Sequence, residues 1–332
     1  MAAPSLTEYL DNLYTTTWQN MSSTVADNTF AASPLWFWLK DGGKLVPEQG
    51  GRFLSEPLQY DANDSVTWIG KGGSVQLNDF EFLTVAKYDW KYIVASMVRF
   101  GQDDQQNRGK NQIINFMNAK NDNTQNALIT ELEASLIGGS GDGAGPNASN
   151  RFHGLQLQVP DDPTVTGSSL GGIDPSLPQY NWWRSKAVNM SGLSFATYGV
   201  STLRTLLNNC MNNRAQDRPD IIVSGQTQFE YYEDGLLSYY RITDNKLGDA
   251  GFENLKFKGI PWIWTPSISN RIYTLNTRFM KVKYDPMMFF SMTEWKPIPN
   301  QVNDRAAQII SAMSMTMSRR LCQGVAYNVS TA

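Results

Sequence analysis

Any chemistry in this chain would have to be built around one histidine, His153, and two cysteines, Cys210 and Cys322. His153 follows a glycine-rich stretch and has no Cys, Glu or Asp at metal-ligand spacing. It therefore reads as an exposed or locally hydrogen-bonded loop residue, and no His-based metal site is expected. A lone histidine also leaves Ser-His and Cys-His nucleophile systems short of supporting members. The two cysteines read as reduced packing residues, not as a disulfide framework of the secreted type.

The other chemical candidates are equally bare. Neither Gly70-Lys71-Gly72-Gly73 nor Gly138 to Gly145 ends in the Gly-Lys-Ser/Thr of a phosphate cradle, so both read as loops. Asp103-Asp104 and Asp161-Asp162 lie in turn-like contexts and read as solvated turn residues. Ten tryptophans keep open a carbohydrate-active enzyme, which would need two convergent carboxylates in a cleft. They are dispersed along the chain and no carboxylate pair stands out, so they read as core and interface residues. No catalytic, cofactor-binding or metal-binding residue is nominated, and the chain is expected not to be an enzyme.

Bulk properties point the same way. With 332 residues the chain can bury a substantial core or two lobes. No long apolar run suggests a membrane span, and the start Met1-Ala2-Ala3-Pro4 lacks the basic and apolar parts of a secretion signal, so a cytosolic site of synthesis is expected. A net charge of −3 gives no basic excess for gripping nucleic acid. The Asn-x-Ser triplets at Asn20, Asn63, Asn147, Asn189 and Asn328 carry no meaning outside a secretory pathway.

The elements follow from periodicity. Residues 1 to 50 are a polar arm carrying the cluster Pro34 to Leu39, whose Trp36 and Trp38 need a partner surface. From 51 to 95 an extended pattern with a turn-rich tip at Gly70 to Gly73 reads as a long hairpin, which is marginal alone and so must dock elsewhere. Trp90, Tyr92, Val94, Ser96, Val98 and Phe100 share one side of a period-two strand. Residues 107 to 137 form a helix with Ile114, Met117, Leu128, Leu132 and Leu136 on a narrow stripe. After an irregular stretch from Leu155 to Ser185, helices over about 194 to 213 and 226 to 240 alternate with strands near 220 to 224, 255 to 264 and 272 to 284. This predicts a mixed α/β lobe within an α+β protein. The tail from Asp304 to Tyr327 reads as a helix or strand returning to the first lobe.

Three stretches carry a resemblance. Gly171-Gly172-Ile173-Asp174 precedes Trp182-Trp183-Arg184. Asp220-Ile221-Ile222-Val223-Ser224 leads into Phe229, Glu230 and Tyr231. Gly251-Phe252-Glu253-Asn254-Leu255-Lys256-Phe257-Lys258-Gly259-Ile260-Pro261 precedes Tyr273-Thr274-Leu275-Asn276. Together, and in this order, they resemble the tailed-bacteriophage major capsid (coat) protein family with the Hong Kong 97-type fold.

The resemblance implies an N-terminal arm (1–50), an extended loop (51–95), a peripheral lobe (96–190 and 291–332) with a spine helix at about 107–137, and an axial lobe (191–290). It implies a virion protein, assembled in the host cytoplasm as pentamers and hexamers of itself into an icosahedral head around double-stranded DNA, without sequence-specific binding. A portal protein, a separate scaffolding protein and a decoration protein are the further partners it suggests. Trp36, Trp38, Gly171, Gly172, Ile173, Trp182, Trp183, Arg184, Gly251, Phe252, Leu255, Phe257 and Gly259 are the assembly candidates. Some family members cross-link lysine to asparagine; Lys71 lies at the tip, but no motif supports that chemistry. A nanocompartment shell of the same fold is the nearest alternative.

Overall fold

The computed structural model describes residues 33–61, 65–74, 81–101, 110–138, 150–151, 153–165, 169–211, 217–236, 255–301 and 304–330, with side chains omitted for 110–119. Asp103-Asp104, Gly139 to Gly145, Gly251 and Phe252 lie outside the described residues, as do Asn20, Asn63 and Asn147.

In chain order, helix α1 (Pro34–Asp41) and strand β1 (Leu45–Pro47) are followed by β2 (Leu54–Gln59), β3 (Leu83–Tyr88) and β4 (Lys91–Arg99). Helices α2 (Lys110–Gly138) and α3 (Leu155–Gln158) lead to β5 (Lys186–Asn189), α4 (Val200–Cys210), β6 (Ile221–Ser224) and α5 (Gln226–Leu236). Then come β7 (Leu255–Phe257), β8 (Ile260–Trp264), β9 (Arg271–Leu275), β10 (Met280–Tyr284), β11 (Ser291–Met292), β12 (Lys296–Pro297), β13 (Arg305–Met317) and β14 (Gly324–Tyr327).

The first sheet is built on β13, which pairs along one side with β4 and along the other with β10, β11 and β12 in turn, while β1 adds to β10 in parallel. Side chains alternate across a strand, so Met97, Ile309, Met313, Met315 and Met317 face the main core beneath α1 and α2. The opposite face carries Tyr92, Val94, Ser96, Gln308, Thr316, Lys281 and Lys283, by register with the same pairs. The sequence pattern placed Tyr92, Val94 and Phe100 on one side correctly, and that side is the exposed one.

The second sheet runs β5-β14-β9-β6-β8-β7. Both its faces are covered: Ile221, Val223, Ile263, Tyr273 and Leu275 reach the main core, while Ile222, Trp262, Ile272 and Ala326 pack against α4 and α5. Strand β6 is therefore apolar on both faces, which is why Ile-Ile-Val appears without alternation. The β7–β8 turn places Lys258 at φ 50 and Gly259 at φ 80, a two-residue hairpin geometry that suits glycine.

Two expectations are corrected. Trp36 needs no second molecule: Leu35, Trp36 and Leu39 fall on one face of α1 and are 1%, 1% and 0% exposed in the main core, with Trp38 packed at its edge. The tail is a strand pair, and its second strand, β14, joins the second sheet between β5 and β9. Sheet membership does not follow order along the chain: β5 and β14 are neighbours in the second sheet, while β10, which lies between them in sequence, is in the first. Non-local pairing overrides order along the chain.

Candidate hairpin-anchoring site

The third sheet is the two-stranded ribbon β2–β3, in register from Leu54 opposite Tyr88 to Gln59 opposite Leu83. A ribbon this short needs a partner surface to be stable, and its inward residues Leu54, Leu58, Ala86 and Tyr88 supply one side of it. The other side is made by the two halves of the glycine and tryptophan motif.

Leu170 and Ile173 exchange both backbone hydrogen bonds, at 3.1 and 3.2 Å, around Gly171 (φ 66) and Gly172 (φ 80). Two successive positive φ values define a tight turn that β-carbons oppose. Gly171 also approaches β3: its carbonyl accepts the Lys87 amide at 3.0 Å, and a Cβ there would sit 2.7 Å from the Ala86 Cβ. Two short 3₁₀ turns within Pro178–Trp183, joined across a kink at Tyr180, then return the chain. Trp183, 1% exposed, donates its indole N–H to the Leu170 carbonyl at 3.2 Å. Arg184 donates to the Pro175 carbonyl at 2.7 Å and to the Ser176 carbonyl at 3.1 Å, which closes the loop between the two halves. Trp182 stacks on Tyr60 with centroids 5.5 Å apart, at the outer end of the ribbon root.

Beneath this lies a polar floor. The Tyr88 hydroxyl donates to the Met317 carbonyl at 2.8 Å, and burial raises its pKa, so it stays protonated. Arg320 is fully buried. It donates to the Gln158 and Leu157 carbonyls at 2.9 and 3.3 Å, and its guanidinium carbon lies 5.8 Å from the Trp183 ring centroid. Burial brings its pKa down to about 10, which still leaves it cationic at neutral pH. His153 lies beside the Tyr88 ring, with centroids 6.3 Å apart, and its Nδ1 is buried without a hydrogen-bond partner. It is thus half-buried against the root, not an exposed loop residue.

Glu56 is the strand's ionic contact. Lys283 Nζ is 3.0 Å from Glu56 Oε1 and Lys281 Nζ is 3.6 Å from Oε2, while Thr316 donates its hydroxyl to Oε1 at 3.1 Å. The sequence signal for it was a carboxylate at the inward position of Leu54-Ser55-Glu56-Pro57-Leu58, between two buried leucines, and the period-two reading passed over it. Arg320 and the Arg271–Asp161 pair, with contacts of 2.8 Å, were missed too. Asp161 is thus held by an arginine, while Asp162 caps its own turn through Thr164 at 2.8 Å.

The structure brings Gly171, Gly172, Ile173, Trp182, Trp183 and Arg184 into one site. It leaves Leu255 and Phe257 in the second sheet against α5, Gly259 in the β7–β8 turn, and Trp36 and Trp38 in the main core or packed against it. Cys210 and Cys322 are free and buried. Among the described residues no group of three His, Cys, Asp or Glu could hold a metal ion, and no helix is long and apolar enough to cross a membrane.

The ribbon is thus buried on its inward face and exposed on its outward one, and solved structures that share this architecture come from shells. The chain aligns over 87% of its length with 91% of a chain in the capsid of cyanophage A-1(L), at 14% identity and a TM-score of 0.56. It aligns over 88% of its length with 90% of a chain from the capsid of the native GTA particle, at 8% identity and a TM-score of 0.55. The holo-SrpI encapsulin complex of Synechococcus elongatus PCC 7942 matches at 12% identity and a TM-score of 0.54, with 90% of this chain and 89% of that one covered. No protein-family model matches the chain, and no curated protein sequence does. The chain has a mixed α+β capsid-shell fold and resembles tailed-phage major capsid proteins.

Proposed function

We propose that this chain is the major capsid protein of a tailed bacteriophage, a non-enzymatic subunit that assembles with copies of itself as pentamers and hexamers into an icosahedral head enclosing double-stranded DNA. The first sheet with α2 as its spine forms the peripheral lobe, the second sheet forms the axial lobe, and β2–β3 with the segment joining them forms the extended loop. The assembly partners are further copies of the chain, a scaffolding protein, a portal protein at one vertex and a decoration protein. Assembly takes place in the host cytoplasm.

One observation supports this beyond the shared fold. The extended loop leaves Val66 84% and Trp68 104% exposed, with Ile69, Phe82, Leu83 and Val85 also exposed. Apolar residues concentrated on a protruding ribbon are a liability in a monomer and a contact surface in a lattice. A shell closes from many such modest contacts.

Electron microscopy of the purified protein, alone and co-expressed with its neighbouring genes, tests the reading. Closed shells or capsomers that package DNA are expected. Protein that stays monomeric under every condition overturns it. The encapsulin match makes a nanocompartment shell the second reading, and smaller shells filled with a protein cargo and no DNA would favour it.

A further inference from the structure

The hairpin root is held in two different ways. Strand β3 is held by Ala86 and Tyr88 against Gly171, Leu170 and Trp183, through apolar packing and backbone hydrogen bonds. Strand β2 shares this apolar packing through Leu54 and Leu58 and is held in addition by charge. Four alternating charges connect three segments: Glu48, just after β1, lies 3.3 Å from Lys283. Lys283 lies 3.0 Å from Glu56, and Glu56 lies 3.6 Å from Lys281. The outer two side chains, Glu48 and Lys281, are each 41% exposed, while the inner two, Glu56 and Lys283, are 5% and 8% exposed.

An ammonium group has three protons and no acceptor. Lys283 Nζ faces three acceptors: Glu48 Oε2, Glu56 Oε1 and, at 3.2 Å, the Ser55 carbonyl. Two of them belong to β2 and one to the segment after β1. Apolar contacts such as those of Leu54 and Leu58 are non-directional and allow a ribbon to tilt at little cost. A buried ammonium with its three directions filled does not, because any tilt leaves a charge without its partner in a low-dielectric setting.

We propose that Lys283 is the positioning residue of the extended loop: one buried cation shared by the hairpin and the segment after β1, which sets the inclination of β2–β3 on the first sheet. The proposal deepens the capsid reading and rests on it only for the consequence in assembly, where the angle of the ribbon determines whether its apolar residues meet a second copy. The fully buried root then acts as a pivot at β3 and a clasp at β2.

Spin labels at Gln59→Cys in β2 and Gln308→Cys in β13, both exposed positions, report the inclination by double electron-electron resonance. The full-length chain is used, diluted with unlabelled subunits. The parent protein is expected to give one narrow distance distribution, and Lys283→Met to broaden it roughly twofold as more orientations become populated. Because that variant strands a buried carboxylate, Lys283→Met with Glu56→Gln is the second measurement. It is expected to regain thermal stability while the distribution stays broad, the outcome that separates positioning from mere support. A parent-like distribution in Lys283→Met, or recovery of stability and narrowness together in the double variant, overturns the proposal. Failure of the parent protein to form shells would instead overturn the capsid reading and leave these distributions unaffected.

Discussion

Trp183 donates its indole N–H to the carbonyl of Leu170, and this bond joins the two halves of a motif separated by a loop. The indole is buried on both faces, with Arg320 on one side and Trp182 adjoining it. The site is consequently one unit, and its residues should not tolerate change equally.

Trp183→Ala is expected to cost about 3 to 5 kcal/mol, the usual cost of removing a buried aromatic ring. Trp182→Ala, half-buried and stacked only on Tyr60 and its neighbours, should cost about 1 kcal/mol. Urea denaturation of the two variants checks the order, and equal losses would contradict the anchoring geometry.

Gly171→Ala should destabilise more than Gly172→Ala. Both positions have positive φ, a cost of about 1 kcal/mol for alanine, but only at Gly171 does the new methyl meet Ala86, whereas nothing lies within 4 Å at Gly172. Adding Ala86→Gly to the first variant should recover the steric part and leave the backbone part, as measured by thermal midpoints.

His153 gives the root a pH dependence of known sign. Burial against Tyr88 lowers its pKa below the ordinary value, Lys91 lowers it further, and Asp89 opposes them. The native state therefore binds fewer protons than the unfolded chain. Stability from the neutral imidazole is present above the unfolded pKa and is lost as pH falls through it toward the depressed folded value. Between about pH 7.5 and about pH 5.5 the parent protein should lose more stability than His153→Gln. Parallel curves for the two proteins would refute the assignment.

Trp68 separates folding from assembly. It is fully exposed, so Trp68→Ala should change subunit stability by no more than about 0.5 kcal/mol. As a large aromatic in a contact element it should reduce shell yield by about tenfold or more, judged by sedimentation of assembled particles. Unchanged yield would remove the exposed ribbon from the assembly surface.

Much of this was readable from the chain because it depends on local pattern. The alternation in 91 to 99 marks a strand, the leucines at 128, 132 and 136 mark a buried helix face, only 3%, 1% and 0% exposed, and paired glycines mark a tight turn. What escaped depends on partners distant in sequence. Trp36 read as an arm residue because the core that accepts it is made by α2, β10 and β13. Glu56 drew no reading at all because its counter-ion stands 227 residues later at Lys283. The strand Gly324–Tyr327 read as returning to the first lobe because nothing in its composition names β5 and β9 as its neighbours.

That last placement governs when the subunit can exist at all. Strand β13 is the middle of the first sheet, between β4 and β10, and β14 lies between β5 and β9 inside the second. Until residues 305 to 327 have left the ribosome, both sheets are gapped and their ladders are open. Folding must wait on this long-range pairing. A chain without residues 305 to 327 would present open ladder edges in both sheets, so the loss of one segment would undo two sheets at once.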